Sequence, residues 1–235
     1  MVGPREEQDT NRRGNLDFFV FDRAIIHQVT TPAYRQFLRE SGYGDLDSCS
    51  RIEIAKGVLK YDRSVRDAGT RAGLNLTGAD GQYVVNINHP NARKLVEALG
   101  YKLPTVGLMY RVCIPYIKEL VQQGNAEAQA TLSEMINAKA EWLEDLVKGR
   151  KKVCVGTKEK RVSLPGKDGS FDRQDINECG YPTSVKASGE FYHWHVNGDE
   201  SAAIRSWSSG LGLVLDRGHS VEDDRLGVRL AKIFP

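Results

Sequence analysis

Three of the five histidines and two of the three tryptophans fall between Glu190 and Ile233. His193 and His195 stand at i and i+2, a spacing that places both on one face of a strand. With His219 and Glu222 or Asp223 they would make a His/carboxylate set of the kind that holds a transition metal. Glu222-Asp223-Asp224 is a run that could ligate Ca²⁺. The same residues also suit a contact surface. Tyr192, Trp194, Arg205, Trp207 and Arg217 are the residue types that anchor interfaces, and the Ser, Asn and Gly between them supply adaptable contacts. The contact surface is the more economical reading because it uses every residue of the set. No metal and no cofactor is assigned. GxGxxG, a Walker loop, a Ser–His–Asp signature and HExxH are all absent from the sequence.

These residues need elements to hold them. Gly189 to Val196 alternates, so Tyr192 and Trp194 point one way and His193 and His195 the other. Leu211–Leu215 and Leu226–Leu230 read as a strand pair flanking the polar loop Asp216–Asp224. One of Trp194 and Trp207 is expected in the core and the other at the surface. Upstream, Leu16–Val29 reads as one or two strands. Thr31 and Pro32 then start a helix that buries Tyr34, Phe37 and Leu38 and stops at Gly42. Tyr43–Tyr83 is polar and glycine-rich and is expected to be loops with short elements; its Asn75 and Asp80 fit turns better than a Ca²⁺ site. Tyr83–Asn88 reads as a short strand, and Asn91–Leu99 as a helix closed by Gly100. Thr105 is a cap, and Pro115 should kink or break the next element. Asn125–Leu146 reads as the clearest helix, with Leu132, Ile136, Ala140 and Leu143 on its apolar face and Met135 and Trp142 at the core edge. Gly149–Lys152 is a solvated basic turn. Pro165-Gly166 and Asp168-Gly169 are hairpin signals in Val153–Phe171.

Composition narrows the classes. The chain has 235 residues and a net charge of +2, too small a charge to argue for nucleic acid or an anionic membrane surface. No apolar run is long enough to span a bilayer. Residues 1–15 are polar and lack a signal-peptide h-region, so a frayed N-terminus and a cytoplasmic location, or display on a virus particle or cell surface through another component, are expected. Cys49, Cys113, Cys154 and Cys179 match no zinc spacing and read as idle thiols, with a Cys154–Cys179 disulfide as the alternative.

Three segments resemble the formylglycine-generating-enzyme (sulfatase-modifying-factor) branch of the C-type lectin fold. Val29–Tyr43, VTTPAYRQFLRESGY, is similar to that family's VTNAxYxxF segment through Val29, Thr30, Tyr34 and Phe37. Ala92–Tyr110 is similar to its A…LG.RLPTEAEWE segment through Ala92, Leu99, Gly100, Leu103, Pro104 and Thr105. Arg225–Lys232, RLGVRLAK, resembles its closing GFRLA strand. The departures are specific. Val106–Tyr110 lacks the acid and the Trp of TEAEWE, RGGSW survives only as Ser206-Trp207, and no cysteine follows Cys179, so the enzyme's C-terminal catalytic cysteine pair is missing.

Within this fold the chain resembles the variable proteins of diversity-generating retroelements, in which adenine-directed mutagenesis of the gene's 3′ end alters side chains on a rigid scaffold. The resemblance implies an α+β class, a single lectin-like domain over 16–235, and a ligand-binding region at 190–233. It implies a non-catalytic protein whose ligand is another protein or a surface glycan, with a monomer favoured. The implied variable positions are His193, His195, Ile204, Ser206, Ser208, Val214, Asp216, Gly218, His219, Val221, Glu222 and Asp223, while Gly212, Gly227 and Leu230 belong to the framework. The alternative is an oxidoreductase of the formylglycine-generating or iron-dependent sulfoxide-synthase type.

Overall fold

The computed structural model describes residues 17–137, 140–196, 198–207 and 210–235. The polar N-terminal stretch 1–15 and Ser208 lie outside them. The described residues form a mixed α+β arrangement with six α-helices and two mostly antiparallel sheets.

The first sheet has three strands in the order β1-β2-β11: Phe18–Asp22, Arg51–Ala55 and Ala231–Phe234. The strands nearest the two chain ends therefore meet on β2, a strand inside a segment expected to be mostly loop. The second sheet runs β5-β4-β3-β8-β9-β7-β6, with β10 added to β3. Its strands are β3 (Ala140–Lys148), β4 (Lys152–Val155), β5 (Lys158–Arg161), β6 (Gly169–Phe171), β7 (Phe191–Trp194), β8 (Asp199–Trp207), β9 (Gly210–Arg217) and β10 (Leu226–Val228). The helices are α1 (Arg23–Val29), α2 (Pro32–Glu40), α3 (Arg63–Arg71), α4 (His89–Ala98), α5 (Ile114–Gln122) and α6 (Ala126–Asn137).

Several local readings hold. The Thr31 hydroxyl accepts from Tyr34 N at 3.2 Å and starts α2, with Tyr34, Phe37 and Leu38 buried. Asn88 caps α4 through Asn91 N at 3.0 Å. Thr105 Oγ1 accepts from Leu108 N at 3.2 Å. Gly149–Lys151 is the turn between β3 and β4, and Lys152 opens β4.

Others are corrected. Leu16–Val29 is strand only to Asp22, whose carboxylate then caps α1 by accepting from Ile25 N at 2.9 Å. Tyr83–Asn88 makes only an isolated bridge from Tyr83 to Lys60, because Asn86 takes a left-handed φ of 55° that ends any extended run. Pro115 does not break its helix. A π-helical stretch over Leu108–Cys113 widens the preceding turns, with Ile114 N reaching Met109 O, and α5 continues through the proline. Asn125–Leu146 is half helix. α6 stops at Asn137, and Ala140–Lys148 is the central strand β3, with Trp142 fully buried instead of at an edge. The β4–β5 hairpin turns at Gly156, with φ 55°, while Pro165-Gly166 lies in the connection to β6. Leu211–Leu215 does not pair with Leu226–Leu230. Both edges of β9 are taken, by β8 and β7, so β10 joins β3 in parallel. All four cysteines are buried and unbonded.

β3 is paired along both edges and buried on both faces, which forces its three acids to find partners. Glu141 and Arg229 are both fully buried and form a two-pronged ion pair at 2.6 and 2.8 Å. Arg229 also donates to Lys56 O at 2.6 Å and to Ala55 O. Glu144 meets Arg93 at 2.9 Å, and Asp145 accepts from Val106 N at 2.8 Å.

Candidate functional site: the C-terminal surface and its loop

The C-terminal surface is built outward from β3. Trp142 Nε1 donates to Ile87 O at 2.8 Å, and the His89 ring Nε2 donates to Leu143 O at 2.7 Å. The His89 and Trp142 rings meet edge-on, 5.6 Å apart. Burial of His89 lowers its pKa to about 4, so the neutral Nε2–H form persists at neutral pH. Residues 87–89 are thereby fixed to the centre of the sheet.

That segment in turn holds the loop between β9 and β10. Asn86 N donates to Asp223 O and His89 N to His219 O, each at 3.2 Å. Asn88 Nδ2 reaches Glu222 Oε1 at 3.3 Å, the one side-chain contact of the three. Within the loop, Val221 N turns back to Gly218 O at 3.0 Å and Arg225 N to Asp223 Oδ1 at 2.8 Å. Arg217 lies 3.6 Å from Asp223. Two main-chain carbonyls therefore seat the loop, while Asp216, His219, Val221 and Glu222 are exposed and Gly218 and Asp223 half-exposed.

Beside the loop, the end of the sheet carries Tyr192, Trp194 and Arg205, three of the residues expected as anchors. Tyr192 and Trp194 contact each other edge-on at 4.9 Å, and the Arg205 guanidinium lies 6.0 Å over the Trp194 ring. Tyr192 and Arg205 both register with Gly212, one from each neighbouring strand. All three side chains are half-exposed. Arg205, Arg217 and Arg225 border a small crevice of about 10 Å³.

Three positions expected at the surface face inward. His193, Ile204 and Val214 are buried, at 0%, 2% and 2% exposure. Alternation misplaces them because this part of the sheet is covered on both faces. Ile204 packs with Phe191, Leu211 and Leu213 in one apolar cluster, and Val214 joins Ala203, Trp142 and Leu226 in another. Burial lowers the pKa of His193 to about 4, with the Pro165 backbone and the Asp168 carboxylate acting in the opposite sense. Ser206 and Trp207 lie on β8, their backbone register facing Leu211 and Gly210.

The histidines do not converge on a metal. His195 Nδ1 faces Asp168 Oδ1 at 2.6 Å, and its backbone N donates to the same oxygen at 2.8 Å. Among the described residues no group of three or more His, Cys, Asp or Glu side chains is arranged to hold a metal ion. Asp80 is tied to Arg66. The thiols of Cys113 and Cys179 are pushed up to about 12, in both cases chiefly by burial. Among the described residues no helix is long and apolar enough to cross a membrane. Sequence reasoning missed the Asn86–His89 seat, since its partners lie more than a hundred residues away and no local pattern marks them.

No family model, no curated protein and no solved structure matches this chain.

Proposed function

We propose that the chain is a non-catalytic ligand-binding display protein with a C-type lectin fold of the formylglycine-generating-enzyme type. Its C-terminal surface is diversified by a retroelement to recognise varied protein or glycan ligands. The observation that carries this reading is the seating of the 218–225 loop by the main-chain carbonyls of His219 and Asp223. A loop held by its backbone keeps its shape when its side chains change, which is what a diversified surface requires. The formylglycine-generating form of the alternative needs a reactive thiol, and burial raises the pKa of Cys113 and Cys179, whereas the sulfoxide-synthase form would need a His-held iron site.

The test is a display library randomised at Asp216, His219, Val221 and Glu222 together. The proposal expects most members to fold and binders to be selectable against unrelated protein targets. A library in which most members unfold, or from which no binder emerges while the parent chain folds, contradicts it.

A further inference from the structure

A much larger concavity lies away from the loop, at the other end of α4. It is a groove of about 570 Å³ between the turn at Gly42–Ser48, the end of α4 and β11. A second chamber of about 130 Å³ adjoins it, and the two share Gly42, Tyr43, Glu97 and Lys102. The volume lies within the range of small-molecule sites.

The walls are braced. Lys102 and Ala231 exchange both backbone hydrogen bonds at 2.8 Å, and Tyr43 OH donates to Leu103 O at 2.7 Å. Lys102 Nζ donates to Gly42 O at 2.9 Å and Tyr43 O at 2.5 Å, fastening the turn to the sheet. A preformed concavity with fixed walls loses little entropy when it takes a ligand.

The charges are the informative feature. Lys102, Lys232, Asp45 and Glu97 line the groove, two of each sign; among the described residues none of the four closes a salt bridge, while Lys102 is held by the two carbonyls of the turn and Asp45 Oδ1 accepts from Asp47 N at 3.0 Å. The Lys232 ammonium lies over the Tyr101 and Phe234 rings instead, at 5.4 and 4.9 Å. Opposite charges held apart around one concavity complement a ligand that carries both. A simple anion would meet Asp45 and Glu97, and a simple cation would meet the two lysines. We infer that this groove is a second ligand site, separate from the loop surface, that takes a small zwitterion of about dipeptide size.

The test is saturation-transfer NMR on the full chain with three probes: a pool of dipeptides with free termini, the same pool N-acetylated and C-amidated, and maltose. The free pool should give saturable transfer, and blocking the termini should weaken it at least about tenfold. Glu97→Gln and Lys232→Gln should each weaken the free pool by about tenfold, and Glu222→Gln on the display loop should not. Equal transfer from free and blocked pools, transfer from maltose alone, or no transfer from the free pool overturns the inference. If a groove variant fails to fold by circular dichroism, the comparison of free and blocked pools on the unmodified chain still decides it. The display proposal does not enter this result, because its loop contributes no residue to the groove.

Discussion

Trp194 occupies the space that a side chain at Gly212 would need. A Cβ built at Gly212 would lie 3.0 Å from Trp194 Cη2 and closer still to Cζ3. The half-exposed indole is thus stacked over backbone, with Tyr192 at its edge and Arg205 above it. Gly212→Ala should push the ring outward. The ring can move into solvent, but the Tyr192 carbonyl oxygen, 3.1 Å from that Cβ, is backbone and must give as well, so the stability cost should be about 1–2 kcal/mol. Near-ultraviolet circular dichroism should change markedly, and ligand capture by this face should fall by more than the stability loss explains. An unchanged aromatic spectrum would mean that Gly212 does not position the anchor.

Gly227 has a different neighbour. Its Cβ would fall 2.6 Å from Val58 Cγ1, and Val58 is buried. Here neither side can retreat, so Gly227→Ala should cost about 1–3 kcal/mol in urea unfolding. A smaller cost would show that β10 can shift away from the Val58 segment.

The Glu141–Arg229 pair predicts an asymmetric pair of variants. Glu141→Ala leaves a buried guanidinium without its carboxylate and should cost about 3–5 kcal/mol. The double variant Glu141→Leu/Arg229→Met should recover part of that loss, though it abandons the Ala55 and Lys56 carbonyls that Arg229 serves. Both values come from urea titration. A double variant no better than Glu141→Ala would place the main stabilisation in those carbonyl contacts.

Acid sensitivity should trace in part to His193. Its pKa is lowered by burial from 6.5 to about 4, so the unfolded chain binds a proton that the folded chain refuses. Its contribution is complete above about pH 6.5 and is lost as pH falls towards 4, on the order of 3 kcal/mol across that window. His193→Phe removes the titration and the buried polar ring. The variant should lose less stability than the parent between pH 6.5 and 4.5, by thermal melting. An identical slope would show that His193 is protonated in the folded chain.

Asp145 acts in the opposite sense. Burial raises its carboxyl to about 7, so the folded chain holds a proton that the unfolded chain has released, and stability falls as pH rises from about 4 to 7. Asp145→Asn keeps an oxygen for Val106 N and should flatten that decline. A decline as steep as the parent's would assign it to another group, Glu144 being the nearest candidate, since burial raises it to about 7 as well.

What could be read from the chain beforehand was mostly local. The Thr31-Pro32 start, the helix ending before Gly100 and the Tyr192/Trp194 face each depend on a few neighbouring residues. β3 failed that reading because Ala, Glu, Leu and Lys favour helix. Its extended form comes from β4, β8 and β10, together with Arg229, Arg93 and Val106, which satisfy its acids. The strict alternation of β7 held, but which of its faces was open could not be read. That depends on the cover supplied by residues far away in sequence, and the cover buries His193, Ile204 and Val214. The loop 218–225 was recognisable by composition, whereas its seat at Asn86–His89 was not.

The central claim is that side chains on the seated loop and at the end of β9 that leads into it vary while the scaffold stays fixed. Sequencing the gene's 3′ end across a natural population tests it most directly. The account predicts substitutions concentrated at Asp216, His219, Val221 and Glu222, with Gly212, Gly227 and Leu230 constant and the buried His193, Ile204 and Val214 constant with them. A 3′ end no more variable than the rest of the gene, or variation spread equally over buried and exposed positions, would contradict it.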